Sequence, residues 1–299
     1  MIGSALAIYH LLKGLGKEAT LASADPIPEI YFFLPAVKKI KIGDPQKLPL
    51  EKFDLIFLAD TPSLTRFSRE GKVAIPPKTI VINVDHHGSN HKFGQLNYLA
   101  PQAAATTEVL YDLLRMWKLP ISPEIATCLL TGIYTDTGGF IYPSATANSL
   151  SKAADLIRRG ADRDAVAENS FRSWSPKALP IWSQILANTK IKGTIAYSQM
   201  DYAGVRKIDP LQNELAEVRA FAVSNLVLSI RGVRAAALFT EEKPREIRVN
   251  LRSTGSVDVD KIAAKFDGGG HRNSAAFDYH GHLKEAVAKT VRLLQGAVD

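Results

Sequence analysis

The chain has 299 residues, 46% hydrophobic and 22% charged, a composition of ordinary globular proteins rather than disordered or fibrous ones. At about 100–200 residues per domain the length suits two domains, and no apolar run approaches the roughly 18 residues of a membrane span. The single cysteine, Cys128, excludes an internal disulfide and a Cys-based zinc or iron–sulfur site, which fits a reducing, cytoplasmic setting. The net charge of +7 comes from 37 basic and 30 acidic residues spread along the chain; it admits an anionic substrate without the basic stripe of a duplex-binding domain.

Met1–Leu15 is apolar but lacks the basic region and cleavage site of a signal peptide, and Ile2, Leu6, Tyr9 and Leu12 recur at helical spacing, which predicts a buried amphipathic helix. Phe53–Ala59 and Thr79–Val84 are unbroken apolar runs of strand length, the pattern of buried parallel strands. Helical patterns follow over Thr107–Trp117, Pro123–Tyr134 and Thr146–Arg159, the last closing at Gly160. Phe171–Ile191 reads as helix and connector with breaks at Ser173, Ser175, Pro176 and Pro180, placing a domain boundary near residue 190. Beyond it, strands are expected at Thr194–Gln199, Leu226–Ile230, Ala235–Thr240 and Glu246–Arg252. Helices are expected near Pro210–Ala222, Val257–Lys265 and Leu283–Leu294. The fold class is α/β: a mainly parallel N-terminal sheet flanked by helices over residues 1–190, and a smaller α/β domain over 191–299.

Four constellations carry chemistry. Asp60 follows the first strand and reads either as a helix N-cap or turn residue before Pro62 or as a site carboxylate. Asp85-His86-His87 ends the second strand; one carboxylate and two imidazoles at a strand terminus point to metal or phosphate chemistry. Asp136, within Thr135-Asp136-Thr137-Gly138-Gly139, either caps a helix end or joins the site. Gly268-Gly269-Gly270-His271, followed by Arg272, Asn273 and Ser274, is either a flexible turn or an anion cradle in which backbone N–H groups and the start of a following helix meet a phosphate. Upstream, Arg252 and Ser253 end a strand and offer a guanidinium suited to phosphate oxygens.

Together these residues resemble the DHH phosphoesterase family, in its two-domain type with a DHH-associated C-terminal domain, the bacterial nanoRNA hydrolases that also dephosphorylate 3′-phosphoadenosine 5′-phosphate. The resemblance runs from Ile2 to the GGGH segment and the helix expected after it. It departs at three places. The family's motif of one His and two Asp, which supplies about half the metal ligands, immediately precedes the segment matching Ile2-Gly3-Ser4, whereas this chain begins at Met1, so the catalytic domain is read as N-terminally truncated. Asp267 stands where the family often has a fourth glycine, and Phe277 where a glycine commonly follows the Ala-Ala pair.

The resemblance implies a hydrolase of phosphoester bonds with two Mn2+ ions, replaceable by Mg2+ or Co2+, in a cleft between the domains. Asp60, His86 and Asp136 would be metal ligands, with Asp60 bridging; Asp85 would orient an imidazole and His87 would hydrogen-bond the scissile phosphate. Arg252, Ser253, Gly268, Gly269, Gly270 and His271 would hold the phosphate and sugar of a short single-stranded RNA or a small adenine nucleotide. No membrane and no stable protein partner is implied, and a homodimer is compatible. The alternatives are a phosphodiesterase for cyclic or linear diadenylate and a catalytically impaired nucleotide-binding protein. In-frame sequence upstream of the Met1 codon is expected to read as an apolar strand, a His, a short spacer and two Asp separated by one residue; sequencing that reveals a stop codon or unrelated residues there would favour the binding protein.

Overall fold

The computed structural model describes residues 1–68, 73–209 and 215–298, and the chain divides between Ser173 and Trp174 into two units. In the first, helix α1 (Ile2–Gly14) forms as its apolar spacing predicts and buries Leu6 and Tyr9. Two short strands, β1 (Ala22–Ser23) and β2 (Lys41–Ile42), pair in parallel. The sheet that matters for the site consists of β3 (Leu55–Ala59), β4 (Ile80–Asp85) and β5 (Leu96–Leu99), all parallel, in spatial order β3-β4-β5. Its register sets Ala59 opposite Val84, and the Asp60 N–H continues the ladder by donating to the Val84 carbonyl at 2.9 Å. Two carboxylates thus leave adjacent strands at the same level.

Helices α2 (Thr106–Met116), α3 (Pro123–Asp136), α4 (Ala147–Arg158) and α5 (Arg163–Phe171) follow. Ser122 caps α3 by accepting from the Ile125 N–H, with Pro123 in the first turn, where a missing N–H costs nothing. Thr146 and Ser149 form a reciprocal capping box on α4. One core gathers Leu6, Val84, Leu110, Leu129, Ile133, Leu156 and Val166. Cys128 lies fully buried within it, and burial pushes its thiol up to about 12, so it is a packing residue rather than a nucleophile.

The second unit begins earlier than the boundary near 190 suggested by the sequence breaks. Helix α6 (Ala178–Ala187) buries Ala178, Ile181 and Ile185 in that unit's core, against Ala196, Leu215 and Leu238. Strands β6 (Lys190–Lys192) and β7 (Ile195–Met200) lead to helices α7 (Tyr202–Ile208) and α8 (Leu215–Phe221). After them come β8 (Ala235–Lys243), β9 (Glu246–Ser253), the short α9 (Asp260–Ala263), β10 (Gly269–His271), β11 (Ser274–His280) and α10 (Leu283–Val298). The strands form one mixed sheet, β10-β11-β9-β8-β7-β6, in which only β7 and β8 are parallel.

One local expectation is corrected here. Leu226–Ile230, expected as a strand, instead continues α8: residues Ala222–Val227 are π-helical, and a wider turn absorbs the apolar run into the core. The helix expected from Pro210 is present as α8, and residues 210–214 lie outside the described chain. Among the described residues, no helix is long and apolar enough to cross a membrane.

Where α1 crosses α3, a Cβ on Gly3 would fall 2.4 Å from the Cys128 carbonyl oxygen, whereas one on Gly14 would meet nothing within 4 Å. Glycine at position 3 is therefore a contact requirement. Gly14→Ala should stabilise the protein by about 0.5–1 kcal/mol through helix propensity. Gly3→Ala should destabilise it by about 1–3 kcal/mol through overpacking. Urea unfolding of both variants tests the contrast, and a stabilised Gly3→Ala would refute the close crossing.

Candidate functional site

Asp85 is the last residue of β4, fully buried, and its carboxylate is surrounded by donors. Oδ1 accepts from the backbone N–H of His86 at 2.8 Å and of His87 at 3.2 Å, and from His87 Nδ1 at 2.7 Å; Oδ2 accepts from Asn90 Nδ2 at 2.6 Å. Burial opposes its charge, but the bonds from His87 and Asn90 outweigh it and hold the carboxyl below its usual value. Those bonds commit Asp85 to orienting the chain around it.

The two imidazoles are fixed differently. His86 Nδ1 donates to the Ala103 carbonyl at 3.1 Å, so its Nε2, 3.4 Å from Asp60 Oδ1, is the ligand-type nitrogen. Burial depresses the His86 pKa, but its bond to Asp60 and the charges of Asp60 and Asp136 more than reverse this, and the net shift is upward. His87 donates from Nδ1 to Asp85, which assigns its chemistry to Nε2, and its ring meets that of His86 edge-on at 4.8 Å.

Asp60 takes a left-handed backbone (φ 61°) and does not cap a helix. Its Oδ1 accepts from Thr106 Oγ1 at 2.8 Å, and its Oδ2 meets the Met1 ammonium at 2.6 Å. Burial again opposes its charge, while that ammonium and His86 hold it well below the normal range. Asp136 ends α3, but Thr137 closes the helix: its hydroxyl donates to the Ile133 carbonyl at 2.7 Å and accepts from the Phe140 N–H at 3.1 Å. Burial pushes the Asp136 carboxyl up to about 6, the Met1 ammonium pulls it down, and the charge on Asp60 adds to the rise. Asp60, Asp85 and His87 bring ligand-type atoms within 4.8 Å of one another. With Asp85 committed to N–H groups, the donors suited to a divalent ion are the Asp60 carboxylate, His86 Nε2 and Asp136, a hard oxygen and imidazole set.

In the second unit the glycine-rich segment differs from expectation. It is not a loop opening a helix: Gly269–His271 form β10, hairpinned to β11, with Gly270 opposite Ala275 and His271 opposite Ser274. A Cβ on Gly268 would lie 2.4 Å from the Ala276 carbonyl oxygen, and one on Gly270 2.3 Å from that of Ser274, so these glycines serve strand approach. Gly269 is exposed, and the nearest atom to its Cβ position, Asp260 Oδ1, is 3.7 Å away. Asp267 adopts the left-handed conformation (φ 58°) that a glycine would favour there. Phe277 is buried and stacks on Phe266 at 4.3 Å between ring centroids. Ser253 Oγ donates to the Val257 carbonyl at 2.7 Å and accepts from Asn273 Nδ2 at 2.9 Å, so the hydroxyl ties the end of β9 to the following turn. Arg252 precedes it, and His271 is exposed at the end of β10.

Residues 1–133 match the DHH family, N-terminal domain, and residues 212–296 match the DHHA1 domain. The bifunctional oligoribonuclease and PAP phosphatase NrnA of Thermus thermophilus is 33% identical over 298 residues, covering 97% of this chain and 85% of that protein. The chain belongs to the DHH family. The NrnA of Bacillus subtilis is 29% identical over 226 residues, 73% of this chain and 67% of that protein. A crystal structure of an exopolyphosphatase-related protein from Bacteroides fragilis shares 26% identity and a TM-score of 0.87, covering 99% of this chain and 88% of that one.

Two residues of this DHH site escaped the sequence reading. Thr106 opens α2 and steadies Asp60, and Asn90 Nδ2 also reaches the Thr61 carbonyl at 3.0 Å and Asn83 Oδ1 at 2.8 Å. The one available signal was an Asn five residues beyond the triplet's Asp, where a loop must fold back on a charge. Asn90→Ala should cost about 1.5–3 kcal/mol, the range for a hydrogen bond to a charged group. Asn90→Asp should cost more, because it sets a second carboxylate against Asp85. Urea unfolding at pH 7 checks the order, and equal stability of the two variants would contradict it.

Proposed function

We propose that this chain is a metal-dependent hydrolase of phosphoester bonds, acting with Mn2+ on short oligoribonucleotides and on 3′-phosphoadenosine 5′-phosphate. The observation that carries the reading is the convergence of Asp60, Asp85 and His87 at the ends of two parallel strands, in a DHH-family chain whose relative is named an oligoribonuclease and PAP phosphatase. The first unit would do the chemistry and the second would select the substrate.

In this reading Asp60, His86 and Asp136 hold the metal. When bound, the metal supplies Lewis acidity and lowers the pKa of water near neutrality. The remaining steps belong to side chains. Asp85 fixes the His87 tautomer, so that Nε2 meets the scissile phosphate and stabilises charge developing on its oxygens. Thr106 keeps Asp60 oriented through its hydroxyl. Arg252, exposed His271 and the open backbone at Gly269 recognise the terminal phosphate and sugar. Gly268, Gly270 and Ser253 shape that surface from within.

His86→Ala and Asp136→Ala should strip metal from the purified protein and abolish turnover. His87→Ala should keep its metal and lose about 10²–10³ in kcat, the typical loss for a removed transition-state donor. Metal analysis beside kinetics decides the assignment; loss of metal in His87→Ala but not in His86→Ala would reverse it. Arg252→Ala should raise KM for nucleotides about ten- to a hundredfold. Gly269→Val, whose side chain has room to fit, should raise KM as well. A small nitrophenyl phosphodiester that cannot reach the second unit is the comparison substrate, and equal losses on both substrates in folded variants would refute recognition. Turnover of diadenylate in preference to phosphoadenosine phosphate, or binding without turnover, would replace the proposed activity.

A further inference from the structure

The π-helical stretch Ala222–Val227 also carries a polar contact to the end of β9. The Leu228 N–H donates to the Val223 carbonyl at 3.0 Å, an i to i−5 bond, so the turn carries a residue more than an α-turn. Such turns give up regular helical geometry and recur at functional sites. Ser224 lies within this one, 7% exposed, and its Oγ accepts a 2.8 Å bond from Arg252 Nε. Arg252 Nη1 donates in turn to the Leu251 carbonyl at 2.9 Å. Two atoms of one planar guanidinium are therefore tied to the protein, by a side chain from the π turn and by the arginine's own strand.

We infer that Ser224 is a positioning residue for substrate recognition: it sets the Arg252 guanidinium in the plane in which it meets a phosphate of the substrate. The inference rests on the role proposed above for Arg252. An arginine loses considerable rotamer freedom when it is held in place. An Arg252 already held by Ser224 loses less on binding, so the effect falls on affinity rather than on bond breaking. The hydroxyl is needed, because the acceptor is buried and its donor is charged.

Steady-state kinetics on a short oligoribonucleotide with Mn2+ should be measured for Ser224→Ala, Arg252→Ala and the double variant. Ser224→Ala should raise KM about three- to tenfold, the worth of one hydrogen bond, with kcat little changed. It should add almost nothing once Arg252 is alanine, and Ser224→Thr should restore most of the affinity. A merely structural serine would lower kcat and melting temperature together and would add its full effect to Arg252→Ala; that result overturns the inference. If Arg252→Ala raises KM and Ser224→Ala does not, positioning fails while the role of Arg252 stands. If Arg252→Ala leaves KM unchanged, the role of Arg252 fails and the inference with it. Should Ser224→Ala fold poorly, Ser224→Cys, which keeps the volume and weakens the acceptor, makes the same comparison.

Discussion

A carboxylate fully removed from water would be costly unless donors replace its hydration. Asp85 receives those donors from the residues that follow it: two backbone N–H groups, one imidazole and one carboxamide. The charge thus folds the loop onto itself, from His86 to Asn90, and fixes both histidines relative to the strand end. Asn90 extends the constraint to β3, because it also bonds the Thr61 carbonyl just beyond Asp60. The geometry of the two strand ends follows from satisfying one buried charge.

Two neighbouring histidines gain different chemistry by the same means. The ring of one is held by a neutral carbonyl, that of the other by an anion. Each partner fixes a tautomer; at His86 burial lowers the imidazole basicity, and the bond to Asp60 with the charges of Asp60 and Asp136 raises it again. Asp136 completes the division. Its carboxyl, raised to about 6, belongs to a cluster in which several carboxylates share little solvent, a setting that favours a polyvalent cation.

The fold was legible where burial wrote it into the sequence. The apolar runs ending at Ala59 and Val84 announced two parallel strands, and the polar residues just after them announced a site, because sheets of this kind place ligands at strand carboxyl ends. What escaped was structure made by pairing rather than by pattern. β5 lies at a sheet edge with mostly exposed residues and shows no apolar run. β10 consists of glycines and a histidine, and exists because β11 offers a partner in register. The π turn at Ala222–Val227 has the apolar content of a strand, and burial alone cannot tell the two apart. Thr106 and Asn90 were illegible for another reason: polar residues acquire meaning only from a partner distant in sequence.

The left-handed backbone at Asp60 narrows the substitutions open to evolution there. Among residues with a side chain, Asp and Asn tolerate that conformation best, and Gly tolerates it without cost. Asn and Gly lack the charge, and Glu has the charge but fits the backbone poorly. Conformation and chemistry therefore select the same amino acid independently, so drift through a chemically similar neighbour would be penalised in folding before it was tested in function.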